Sequence, residues 1–243
     1  MESNHKQAES GFYRFLREHH QKTMDEKKAG AIYYVTRDPS HAGNWVEEWG
    51  WYEKTMPIEE FQNCKNFETL CHLLIADLPI TSLPQNLKVG MTFCLIGTKV
   101  TSLPENLEVG MDLDLQGAPQ IDTLPESLKV GKSLFLKGTK IKSLPSSLKT
   151  AVMLDIRETQ VTTLPDNFEV KYGLFVGDTP ITSLPKGLKV GGWLQISGTG
   201  ITSLPNDLEA SRIVVEDSEK IECSPELKRK ILNVNETHFK NGG

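Results

Sequence analysis

One dipeptide, Leu-Pro, recurs along this chain with a fixed period. Its prolines stand at Pro84, Pro104, Pro125, Pro145, Pro165, Pro185 and Pro205, twenty residues apart with one step of twenty-one, and Pro225 falls another twenty on. A period of this length belongs to repeat architectures, in which no unit can bury its own apolar face and stacking supplies the core. Aligned on the proline, each unit reads like Leu188-Lys189-Val190-Gly191-Gly192-Trp193-Leu194-Gln195-Ile196-Ser197-Gly198-Thr199-Gly200-Ile201-Thr202-Ser203-Leu204-Pro205. The Leu194-Gln195-Ile196 step has period two, so it is a short strand turning two side chains in and one out. The inward pairs are Phe93/Leu95, Leu113/Leu115, Leu134/Leu136, Leu154/Ile156, Leu174/Val176 and Leu194/Ile196. An Ile or Val further on, the Leu before Pro, and a Leu or Phe three residues after it complete one coil's share of the core.

The other fixed positions have mechanical roles. Proline presets φ and cannot donate to a sheet ladder, which suits the return side of a coil. Glycines before the strand (Gly90, Gly110, Gly131, Gly191) and after it (Gly97, Gly117, Gly138, Gly198) allow sharp corners. A threonine column, Thr98, Thr139, Thr159, Thr179 and Thr199, is expected to bond backbone groups of neighbouring coils as an asparagine ladder does.

The run Ile-Thr-Ser-Leu-Pro-x-x-Leu followed by that strand resembles the LPX class of bacterial leucine-rich repeats, found in type III secreted effectors, with similar repeats in phage-encoded proteins. The match covers about residues 73 to 216. Thr stands where the ladder Asn would, and each unit has one Leu-Pro where the effectors often have two. The resemblance implies an α/β repeat: a leucine-rich-repeat solenoid of about eight coils, its parallel sheet on the concave face. It also implies action as a host-directed effector, inhibitor or adaptor, here without a ubiquitin-ligase domain.

Solenoid ends require caps. Ser224-Pro225-Glu226 reads as a helix start, and Leu227, Ile231 and Leu232 give that helix an apolar face, so residues 217–243 are expected to be a C-terminal helical cap and tail after a degenerate strand at Ile213 to Val215. Residues 1–70 lack the repeat and hold three of the four tryptophans. Phe12, Phe15, Leu16 and His19 fall at helical spacing, Ile32 to Val35 suits a strand, and Asn44-Trp45 and Pro57-Ile58 look like helix starts. The expectation is an α-rich N-terminal cap or small domain packed through Phe61, Phe67 and Leu70 on a solenoid of residues 71–216.

Net charge is −5, which lacks the basic footprint of a phosphate-backbone binder, so nucleic acid is not expected as a partner. The polar start, MESNHKQAES, has no apolar signal segment, and no stretch is long and apolar enough to span a bilayer. Action in the cytoplasm, or in a host cell reached without a Sec signal, is expected. Cys64, Cys71, Cys94 and Cys223 form no CxxC pair, so neither a disulfide framework nor a metal or other cofactor is expected.

The outward residue of each strand stacks on its neighbours about 4.8 Å apart. That column is Leu74, Cys94, Asp114, Phe135, Asp155, Phe175, Gln195 and Val215. Thr92, Asp112, Ser133, Met153 and Trp193 flank it on one side, and Ile96, Gln116, Lys137, Arg157 and Ser197 on the other. Aromatic groups rimmed by polar ones mark interaction surfaces, so Asp112, Asp114, Phe135, Lys137, Met153, Asp155, Arg157, Phe175, Trp193 and Gln195 are the candidate residues for binding a protein partner. The column Lys88, Glu108, Lys129, Lys149, Glu169, Lys189, Glu209 reads as a solvated convex side.

Catalytic patterns are weak. Glu18-His19-His20 lacks the spacing of a zinc HExxH site, and Cys64 or Cys71 with His72 sits in no recognisable nucleophile setting. Paired Asp112 and Asp114 alone make a poor calcium site. The expected function is non-catalytic protein binding; the alternative is an enzymatic or toxic activity in residues 1–70, around His19, His20 and Cys64, delivered by the repeats.

Overall fold

The computed structural model describes residues 22, 25, 31–36, 44–46, 51–75, 78–148, 152–216 and 218–233. Within them the repeat folds as a parallel β-solenoid of about eight turns with little helix. Each Leu-x-Leu segment is a strand, as its alternation requires. These strands pair in register through Leu73, Phe93, Leu113, Leu134, Leu154, Leu174, Leu194 and Ile213 to make a front sheet.

The coils carry a second strand that the sequence reading assigned to a solvated return. Asn66–Thr69, Asn86–Val89, Glu108–Val109 and Lys129–Val130 form a parallel back sheet. Further along, Glu169–Val170 pairs with the start of Lys189–Gln195, and that strand and Glu209–Val215 run through the corner into the front sheet. Leu-x-Val therefore alternates just as Leu-x-Leu does: Leu87 and Val89 are buried, Lys88 exposed. The outward row mixes signs, with Glu108 held between Lys88 at 3.6 Å and Lys129 at 2.6 Å, and Lys189 paired to Glu209 at 2.8 Å. Lys149 lies outside the described residues.

Inward side chains of both strands fill one core that runs without a break from Ile32 to Leu227. Between the strands, Gly90, Gly110 and Gly131 each sit on the coil before. A Cβ at these positions would lie 2.2–2.4 Å from the carbonyl oxygen of Leu70, Gly90 or Gly110. Close approach, not φ, dictates glycine there. After the front strand the requirement is φ: Gly97, Gly117, Gly138 and Gly198 are left-handed, and Glu158 (φ 58°) and Asp178 (φ 57°) take the same conformation in the two coils that lack the glycine.

The threonine column works differently from the expected ladder. Each hydroxyl donates within its own coil, to the carbonyl three residues back, as in Thr139 to Leu136 (2.7 Å), Thr159 to Ile156 (2.7 Å) and Thr179 to Val176 (2.6 Å). A three-residue return is the short reach a threonine has from that turn, and at Leu136 and Ile156 it gives the carbonyl a second donor beside the threonine's own backbone amide. An asparagine ladder does exist elsewhere: Asn106 donates to Asn86 at 3.0 Å and Asn86 to Asn66 at 2.6 Å.

The ends differ from the expected helical caps. Ala31–Thr36 (β1), Asn44–Val46 (β2) and Trp51–Pro57 (β3) form an antiparallel sheet in the order β1-β3-β2, followed by one short helix, Ile58–Asn63 (α1). The β-branched and aromatic run of Ile32 to Val35 favours this sheet, and Asn44-Trp45 joins it instead of starting a helix. Pro57-Ile58 does begin a helix. The stretch Phe12 to His19 lies outside the described residues. Phe61 and Phe67 seat this segment on the first coil, with ring centroids 4.8 Å apart and Tyr34 another 4.8 Å from Phe67.

At the other end Ser224 caps a single helical turn, its Oγ accepting from the Leu227 amide at 3.3 Å. The closing element is nevertheless a strand: Ile231–Asn233 pairs in parallel with Ile213, Val214 and Val215. The open edge of that last coil offers unpaired backbone groups, and a strand satisfies them where a helix would not.

Candidate functional site

The front ladder places Leu74, Cys94, Asp114, Phe135, Asp155, Phe175, Gln195 and Val214 side by side. The last member is Val214 and not Val215, which is buried in the core. This one-residue correction brings Arg212 beside Trp193 in the flanking row.

Asp155 is the surprise of the ladder. Alternation alone makes it a solvent-facing carboxylate, but it is 4 % exposed. Phe135 and Phe175 stand on either side in register, and Arg157 folds back over it, Nε to Oδ1 at 2.9 Å and Nη2 to Oδ2 at 2.6 Å. The same guanidinium lies 5.4 Å from the Phe175 ring centroid. Side-chain hydrogen bonds to Asp155 push the Arg157 pKa above its ordinary value. The two phenylalanines are half-buried, and the Phe175 ring covers Gly173, where a Cβ would meet its edge at 2.7 Å.

The other candidates are held locally. Asp112 accepts from the Ser133 amide at 3.1 Å, and Asp114 from the Gln116 amide at 3.0 Å. Burial raises the Asp114 pKa. Lys137 pairs with Glu158 at 3.0 Å. Gln195 lays its amide over Gly177, accepting from that backbone N–H at 3.0 Å. Met153 is half-buried in the row that leads to Trp193.

Trp193 is 45 % exposed on the front sheet, with the Arg212 guanidinium 5.6 Å from its ring, and Ile96, in the flanking row of an earlier coil, is 38 % exposed. Tyr172, at the adjoining corner, is 55 % exposed and carries Lys171 at 5.5 Å. Sequence reasoning passed over both Arg212 and Tyr172. The first was hidden by the register of the last coil, and the second sits at a corner where period-two alternation assigns no face.

Grooves on the opposite side of the solenoid follow the back strands, between the corner glycines and the charged row. Among the described residues no group of three His, Cys, Asp or Glu side chains is placed to hold a metal ion. The Cys71 thiol is pushed up to about 12 by burial and by the charge of Glu53, and Cys64, also raised by burial, donates its thiol to the Phe61 carbonyl at 3.2 Å. Both thiols are therefore protonated and weakly nucleophilic near neutral pH. His19 and His20 lie outside the described residues. No described helix is long and apolar enough to cross a membrane.

Set against protein-family models, curated proteins and solved structures, the chain matches none of them.

Proposed function

We propose that this chain is a non-catalytic recognition module that holds a protein partner against its front sheet. The observation that carries this reading is Trp193, left 45 % exposed on the front sheet with the Arg212 guanidinium 5.6 Å from its ring. An exposed tryptophan next to an arginine is the composition of an interface hot spot, and leaving it in water serves no purpose in folding. Eight strands at about 4.8 Å span roughly 34 Å, wide enough for a standard interface of about 800 Å² per partner. The LPX resemblance of the repeat supports a host-directed bacterial effector, or a phage-derived inhibitor or adaptor, as the setting.

The test is affinity capture from bacterial and host lysates with the wild type and Trp193→Glu, identified by mass spectrometry. A partner retained by the wild type and released by an unfolding-neutral Trp193→Glu supports the reading, with a loss of about thirtyfold or more in affinity. Equal retention by both proteins overturns it.

A further inference from the structure

In the middle of the front face the charges are paired off, Asp155 with Arg157 and Glu158 with Lys137. Beside Tyr172 and Trp193, by contrast, neither Lys171 nor Arg212 forms an ion pair among the described residues. Each of these cations instead lies over an exposed ring, Lys171 over Tyr172 and Arg212 over Trp193.

The two rings share one root. The Trp193 amide donates to the Tyr172 carbonyl at 2.8 Å, so the side chains rise from hydrogen-bonded backbone on neighbouring coils. The floor between them is bare. Gly192 sits against Tyr172, and a Cβ on it would lie 2.1 Å from the Tyr172 carbonyl oxygen. Gly173, the register partner of Trp193, has its space filled by the Phe175 ring. No side chain rises from either glycine, and apart from the cation over each ring the two remain open, Tyr172 55 % and Trp193 45 % exposed.

This geometry points to a docking platform for an acidic, apolar protein segment: aliphatic or aromatic side chains lie against Tyr172 and Trp193, and neighbouring carboxylates pair with Arg212 and Lys171. Charge complementarity selects the occupant. The Arg212 guanidinium, 5.6 Å from the Trp193 ring centroid, can meet a carboxylate with two parallel N–H bonds, whereas a basic segment would face two unpaired cations. The inference rests on the front-face reading above and gives it a partner chemistry.

Fluorescence anisotropy with three labelled peptides tests it: one in which leucines and a tryptophan alternate with aspartates, and matched versions with asparagine or lysine in place of the aspartates. The aspartate peptide is expected to bind most tightly and to weaken in high salt. Arg212→Glu should reduce its affinity about tenfold or more and raise that of the lysine peptide, while Tyr172→Ala/Trp193→Ala reduces both. Circular dichroism confirms that the variants fold. Preference for the lysine peptide, indifference to charge, tighter binding of an oligothymidylate, or no binding by any peptide would overturn the platform. A lysate partner still lost with Trp193→Glu would in that case leave the recognition reading standing.

Discussion

Arg157 holds Asp155 with both ends of its guanidinium, at 2.9 and 2.6 Å, and buries a carboxylate at a position built to face solvent. The pair fixes the middle of the front face, because Phe135 and Phe175 pack on either side of it.

Removing the cation should expose how much that arrangement depends on it. Arg157→Ala leaves Asp155 buried with only the backbone amide of residue 157, at 3.1 Å, as a donor. A loss of about 2 kcal/mol in unfolding free energy is expected from urea titration. Arg157→Lys keeps the charge without the planar fork and should fall between. A variant as stable as the wild type would show that the pair contributes nothing net.

The corner glycines give a second prediction with a built-in control. At Gly110 a Cβ would meet the Gly90 carbonyl oxygen at 2.2 Å, whereas at Gly117 nothing lies within 4 Å and only a φ of 66° resists substitution. Gly110→Ala should therefore cost about 1–3 kcal/mol by forcing two coils apart, and Gly117→Ala about 1 kcal/mol. Unfolding of the two variants side by side distinguishes crowding from backbone strain; a smaller loss at Gly110 would contradict the close-packed corner.

Asp114 links stability to pH. Burial is the main cause that lifts its pKa above the ordinary 3.8, with the charge of Asp155 adding to it. The folded chain thus holds this proton more tightly than the unfolded chain, so the contribution to stability is greatest below 3.8 and declines as pH rises through the raised value. Asp114→Asn should be more stable than the wild type at neutral pH, and the gap should close in acid. A gap that persists unchanged in acid would separate its cause from ionisation.

Much of this was legible in the repeat itself. Period and alternation located the front strands, and the inward pairs from Phe93/Leu95 to Leu194/Ile196 are the centre of the core. The back sheet is not legible there, because a strand such as Lys129–Val130 is two residues long, too short for alternation to distinguish from a solvated turn. Asp155 reads as exposed because the pattern fixes where a Cβ points, not whether a neighbour such as Arg157 folds over it. Analogy with asparagine suggests a ladder for threonine, although its short side chain reaches only its own turn. Arg212 needed the register of the last coil, which the irregular run Glu209–Val215 does not state.

The corner at Gly90, Gly110 and Gly131 carries a consequence for recognition. With each glycine amide bonded to the coil before at 2.7–2.8 Å and no side chain to act as a spacer, neighbouring coils have no slack along that edge. The front face is then a ruler with fixed graduations: a partner that fits its spacing surrenders its own freedom on docking, while the solenoid has almost none left to lose.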